Sequence, residues 1–218
     1  MTERRRVAVL ISGRGSNMVS LIEAARAPDY PAEIVLVVSN RPDAAGLARA
    51  EGYGIATAVI DHKAYGRDRE AFERALDARL AAAGADLVAL AGFMRLLTPW
   101  FVERWFGRLV NIHPALLPAF KGLDTHERAL AEGVKLHGAT VHFVSSEMDA
   151  GPIIAQGAVP VLDADTPDSL GARVLELEHR LYPHALDLVA SGRARLAGRT
   201  VSVADGPAAP GSLIAPAF

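Results

Sequence analysis

Short apolar runs alternate along this chain with longer stretches rich in Ala, Leu, Glu and Arg. Residues 7–11, 34–38, 57–60, 87–91 and 109–113 are nearly continuous apolar and mostly β-branched, each bounded by polar or turn-forming residues. That is the pattern of strands buried on both faces. Residues 18–26, 44–51, 69–82 and 99–105 read as the helices between them, with Asn17 and Pro42 as start signals and Gly52 and Gly84 as stops. Alternating strand and helix predicts an α/β fold: an open, mostly parallel twisted sheet with right-handed crossovers and helices on both faces.

The pattern changes after Pro114. Residues 114–122 read as a loop, followed by a short helix over 125–132. Two further strands, 138–144 and 153–161, are expected to be antiparallel. Asp165-Thr166-Pro167-Asp168 has the form of a helix start with Pro in the first turn. That helix extends to about Ala190, and Pro183 should kink or split it. Residues 195–203 suggest a small hairpin around Gly198, and the Ala-, Pro- and Gly-rich tail from 206 to 218 reads as loosely held.

Composition narrows the chemistry. There is no Cys among the 218 residues, which removes disulfides, thiol catalysis and Cys-ligated zinc. The net charge of −2 gives no global pull toward nucleic acid or an acidic membrane. Arg4-Arg5-Arg6 before an apolar run resembles a signal peptide, but Ser12-Gly13-Arg14-Gly15 interrupts the run too early. No stretch is apolar for long enough to span a membrane. A cytoplasmic protein with no nucleic-acid or membrane partner is the expectation.

The most informative residues close the fifth apolar run. Asn111 and His113 are two apart, so a strand points both the same way, and Pro114 ends the strand immediately after them. An amide donor beside an imidazole, at the carboxyl end of a strand in an α/β sheet, suits chemistry in which a carbonyl oxygen gains negative charge. Gly13, Gly15, Ser16 and Asn17 lie between the first strand and first helix, where backbone N–H groups favour an anion. Met18 at the third glycine position and Asn40 at the end of the second strand argue against a dinucleotide, and a monophosphate fits better. Phe93, Met94, Leu96 and Leu97 form either an apolar slot for a flat ring or ordinary core around a solvated Arg95. Asp149 before Gly151-Pro152 is ordinary turn chemistry, unless it meets His113, where it would orient the imidazole and favour its charged form. His126, His137 and His142 match no metal spacing and read as structural, and Glu176, Glu178 and His179 read as a partly solvated helix face.

Taken together, several segments resemble the folate-dependent formyltransferase family. They are Val9-Leu10-Ile11-Ser12-Gly13-Arg14-Gly15-Ser16-Asn17, Leu90-Ala91-Gly92-Phe93-Met94-Arg95, Asn111-Ile112-His113-Pro114-Ala115-Leu116-Leu117-Pro118, Asp149-Ala150-Gly151-Pro152 and Glu178-His179-Arg180-Leu181-Tyr182-Pro183. The resemblance spans about residues 6–190 and implies a Rossmann-like formyltransferase fold in a single domain, 1–218. Its phosphate-binding half would be about 1–105, its folate and catalytic half about 106–190, and a small extension 191–218. It implies transfer of a formyl group from the co-substrate 10-formyltetrahydrofolate to the amine of glycinamide ribonucleotide, in purine biosynthesis, with no metal. By position, Asn111, His113 and Asp149 match the catalytic trio. Gly15, Ser16, Asn17 and Glu178 match ribonucleotide contacts. Arg69, Met94, Arg95, Leu96, Leu97, Asn111, Ser145, Ser146, Glu147, Met148 and Asp149 match folate contacts. A homodimer is also compatible with the resemblance.

Two alternatives stay open: a formyltetrahydrofolate hydrolase, with water as acceptor, and a non-catalytic folate- or phosphate-binding module. Hydrolases of this kind carry an extra N-terminal domain, and a first strand near residue 7 is not expected in one. Members acting on tRNA carry a C-terminal tRNA-binding domain, and the stretch after the last long helix is not basic enough to serve as one.

Overall fold

The computed structural model describes residues 4–204 and residue 215, so the 206–218 tail lies outside the described residues apart from Ala215. Strand β1 (Arg5–Ile11) lies between β2 (Ala32–Ser39) and β4 (Leu87–Leu90). β3 (Thr57–Val59) continues the sheet beyond β2, and β5 (Leu109–His113) beyond β4, all parallel. The chain then reverses. β6 (Leu136–Phe143) and β7 (Ile153–Pro160) add antiparallel strands, giving the order β3-β2-β1-β4-β5-β6-β7. The order runs outward from β1 in both directions. The carboxyl ends of β1 and β4 therefore frame the crevice where open α/β sheets bind ligands.

Strand alternation divides the core in two. Val7, Val9 and Ile11 pack on one face with α1 (Ser16–Ala25) and the 24-residue α6 (Pro167–Ala190). Ala8 and Leu10 pack on the other with α3 (Arg69–Ala82) and α4 (Pro99–Arg104). The remaining helices are α2 (Ala45–Gly52) and α5 (Thr125–Ala131), with a 3-10 turn over His62–Tyr65. Fully buried Tyr182 fastens α6 beneath the crevice: its hydroxyl donates to the Leu90 carbonyl at 2.9 Å.

Three local expectations change. Gly15, at φ 69, occupies the position before α1, which starts at Ser16 rather than after Asn17. Ala44, not Pro42, precedes α2. Pro183 does not split α6: Leu181, Tyr182, Ala185 and Leu186 bury the turns around it, and its carbonyl accepts the Tyr30 hydroxyl at 2.7 Å. The start of α6 is as expected, with Thr166 and Ser169 forming a reciprocal capping box. The late hairpin is present as β8 (Ala194–Ala197) and β9 (Thr200–Val203).

Candidate active site

Antiparallel pairing of β5 with β6 sets His142 opposite Asn111 and Thr140 opposite His113. Asn111 Nδ2 lies 3.3 Å from His142 Nε2, and His142 Nδ1 donates to the Phe143 carbonyl at 2.9 Å. That carbonyl can only accept, so the proton sits on Nδ1, and Nε2 is left to accept from Asn111. Burial pushes the His142 pKa below its ordinary value, against the Phe143 carbonyl and Asp149, so the ring is neutral at pH 7. A neutral His142 thus fixes which way the Asn111 amide is turned.

His113 is 5% exposed, and its Nδ1 lies 3.4 Å from Asp149 Oδ2. The same carboxylate oxygen accepts the Gly122 N–H at 2.9 Å, and Oδ1 is 3.9 Å from His142 Nε2. Asn111, His113, His142 and Asp149 are therefore one cluster, as expected for three of them. Gly151 makes the approach of Asp149 possible: a Cβ there would lie 1.7 Å from the Phe143 carbonyl oxygen. Asp149 itself adopts φ 50, and Phe120 and Asp124 on the facing loop adopt φ 53 and φ 55. Three non-glycine residues in the left-handed region around one cluster mark a backbone held against its preference. Buried Thr140 anchors that loop, accepting the Leu117 N–H at 3.0 Å and donating to the Ala115 carbonyl at 2.7 Å.

The anion turn sits at the carboxyl end of β1. Among the described residues, helix α1 starts with no side-chain cap and no acidic residue in its first turn, so its first N–H groups have no partner there. Gly46 of α2 packs directly beneath, its N–H on the Gly13 carbonyl at 3.0 Å. Residues 12–17, Asn40, Arg41, His62, Gly92, Met94 and Arg95 line an open cleft of about 580 Å³. Asn17 turns inward and donates to Glu178 Oε2 at 2.8 Å. Glu178 is 6% exposed, which corrects its reading as part of a solvated face. Burial pushes its pKa up to about 7, opposed by the Asn17 hydrogen bond.

On the opposite wall, Met94 and Leu96 stand exposed (73% and 63%), so they are not core; Phe93 and Leu97 pack partly on the α3–α4 side. Arg69 donates to the Leu96 carbonyl, and Arg95 lies over the Phe72 ring. The expected folate positions at Arg69 and 94–97 are thus contiguous. In the 145–149 loop, Ser145 Oγ donates to the Glu147 carbonyl at 3.0 Å. Glu147 pairs with Lys121 at 2.9 Å, and Met148 is half exposed against Gly122. His126 and His137 contact each other at 3.2 Å, and the His137 ring meets the Phe120 ring edge-on behind His113. Sequence reasoning missed His142; its one usable signal was that strand pairing would seat it opposite Asn111.

A doubly wound sheet carries, at the carboxyl ends of its parallel strands, an uncapped helix start after β1 and an Asn/His/Asp cluster at the end of β5, which defines an α/β fold with a cleft of open N–H donors beside an amide, an imidazole and a carboxylate. Residues 5–186 match the family described as formyl transferase, and the chain belongs to that family. It is 45% identical to phosphoribosylglycinamide formyltransferase of Escherichia coli K12 over 190 residues, covering 87% of this chain and 89% of that protein. A crystal structure of glycinamide ribonucleotide transformylase 1 from Symbiobacterium toebii superposes with a TM-score of 0.91 at 46% identity, covering 94% of this chain and 96% of that one. The trifunctional purine biosynthetic protein adenosine-3 of Bos taurus is 52% identical over 194 residues, 89% of this chain but only 19% of that protein's length.

Proposed function

We propose that this chain transfers the formyl group of 10-formyltetrahydrofolate to the amine of glycinamide ribonucleotide, as a single formyltransferase domain acting in the cytoplasm in purine biosynthesis. The observation that carries the reading is the convergence of Asn111, His113, His142 and Asp149 at the same end of the sheet that bears the uncapped turn at Gly15–Ser16–Asn17.

The phosphate is held by the open N–H groups of α1, away from the reacting centre. Glu178, its pKa pushed up to about 7 by burial, serves as a ribose contact with Asn17 beside it. The folate ring lies along 94–97 and the 145–149 loop. The free amine attacks the formyl carbon, a C–N bond forms, and the formyl oxygen takes up negative charge. Asn111 donates one hydrogen bond to that oxygen, and His113 donates the second or supplies a proton. For this the oxygen replaces the Phe120 carbonyl, which accepts the His113 Nε2–H at 2.9 Å. The intermediate collapses by breaking the bond to the folate nitrogen, which receives the proton lost by the amine, through water. Asp149 holds the imidazole in place throughout.

The test is release of tetrahydrofolate with and without glycinamide ribonucleotide, alongside Asp149→Asn. The proposal expects release that requires the ribonucleotide and falls by about 10²–10³ in the variant. Release without the ribonucleotide points to the hydrolase; folate binding with no release points to a binding module.

A further inference from the structure

Ser12 opens the glycine turn, yet the chemistry above gives it no task. It is 6% exposed, and its N–H donates to the Gly92 carbonyl at 3.2 Å. Its hydroxyl donates to Asn40 Oδ1 at 2.6 Å and accepts the Met94 N–H at 2.8 Å. Asn40, 3% exposed, directly follows β2, where a dinucleotide-binding fold keeps an acid. It is braced in turn by His62, whose Nδ1–H donates to the Asn40 carbonyl at 2.8 Å. One hydroxyl therefore joins the ends of β1 and β2 to the turn after β4.

That turn has few other supports. Gly92, at φ 70, frees the chain to leave the sheet, and the next fixed point is Thr98, whose N–H is held by Glu73 at 2.7 Å. Between them the backbone of residues 93–97 makes two hydrogen bonds among the described residues: Met94 N–H to Ser12 and the Leu96 carbonyl to Arg69. A hydroxyl has one proton. With Asn40 Oδ1 taking it, a lone pair is left for Met94.

We propose that Ser12 is a positioning residue for the folate, fixing the 93–97 wall through the Met94 N–H, with Asn40 setting the direction of its hydroxyl. The inference rests on the folate reading above and adds two residues to it. They act on one substrate only, although Ser12 adjoins the turn for the other.

The experiment measures tetrahydrofolate binding, both KM values and kcat for the full chain, Ser12→Ala, Ser12→Thr and Asn40→Ala. Loss of one net hydrogen bond predicts a three- to tenfold (about 3–10×) weaker tetrahydrofolate affinity and a matching rise in folate KM for Ser12→Ala. The ribonucleotide KM and kcat at saturation stay within about twofold. Ser12→Thr recovers most of the loss, and Asn40→Ala shifts the folate terms in the same direction by less. Unchanged folate affinity in both alanine variants, or a rise confined to the ribonucleotide KM, overturns the proposal while leaving the transferase reading intact. A wild-type chain that binds no tetrahydrofolate overturns both.

Discussion

The imidazole of His113 is tied to the protein's own loop: Nε2–H donates to the Phe120 carbonyl at 2.9 Å while Nδ1 faces Asp149 at 3.4 Å. Both ring nitrogens are therefore committed before any substrate enters. The Phe120 carbonyl is not a casual partner, because its ring meets His137 edge-on and lies under the Arg128 guanidinium. Arg128 also holds the Lys121 carbonyl at 2.7 Å. Substrate must take over a place that the loop now fills, so loop geometry and turnover are coupled.

Gly122 is where that coupling is most directly tested. Its N–H anchors Asp149, and its φ of 85 suits glycine alone. Gly122→Ala introduces about 1–2 kcal/mol of backbone strain at that anchor. We expect kcat to fall about tenfold with the ribonucleotide KM unchanged, a drop of roughly 1.4 kcal/mol in transition-state stabilisation. Steady-state kinetics that leave kcat at the wild-type value refute the coupling.

His142 should matter through Asn111. His142→Leu removes the acceptor that orients the amide and leaves a half-buried donor unpaired. The expected loss is about 10- to 100-fold in kcat. Ribonucleotide affinity, read by titration calorimetry, should not move. A variant with full kcat shows that Asn111 needs no such partner.

Gly15→Ala addresses the anion turn. At φ 69 an added Cβ would lie 3.2 Å from Met18 Cε and 3.3 Å from Gly46 Cα. The turn must open or strain, at about 1–2 kcal/mol. The KM for the ribonucleotide is expected to rise about tenfold while tetrahydrofolate binding stays constant. Equal losses for both ligands instead indicate a general disturbance of the fold.

Glu178 gives the protein a pH-dependent stability. Its folded pKa, about 7, is raised above the ordinary 4.5 by burial. The folded state therefore holds a proton that the unfolded state releases. This contribution is complete below about pH 4.5 and disappears as pH rises through about 7, a total on the order of 3 kcal/mol. Urea midpoints between pH 5 and 8 should show Glu178→Gln gaining on the wild type as pH increases. A constant difference across that range contradicts the assignment.

Much of the architecture was legible because local and global signals agree. The apolar run closed by Pro114 gives β5 its bounds, and Asp68, capping the Ala71 N–H, starts α3 at Arg69. The change of pattern after Pro114 was also legible, and the two later strands expected to be antiparallel are so. What stayed hidden depends on contacts between distant segments. Glu178 looked solvated because helical periodicity says nothing of Asn17, 161 positions away, which fills the space before it. His142 looked structural because β6 is buried on both faces, so alternation could not separate a core face from a site face. Pro183 looked disruptive because the local cost of its missing N–H was judged without Leu181, Tyr182, Ala185 and Leu186, which bury the turns around it. The uncapped start of α1 could be read in outline from Gly13 and Gly15, though its starting residue could not.

That uncapped start has a practical side. A helix that opens with unsatisfied N–H groups is completed by whatever anion the solution supplies. Phosphate and sulfate in a buffer are then competitors of the substrate and stabilisers of the fold at once. Melting temperatures taken in phosphate should exceed those in chloride at equal ionic strength, and apparent substrate affinities should be poorer by the same occupancy. For this protein the choice of buffer salt belongs among the reagents of the assay.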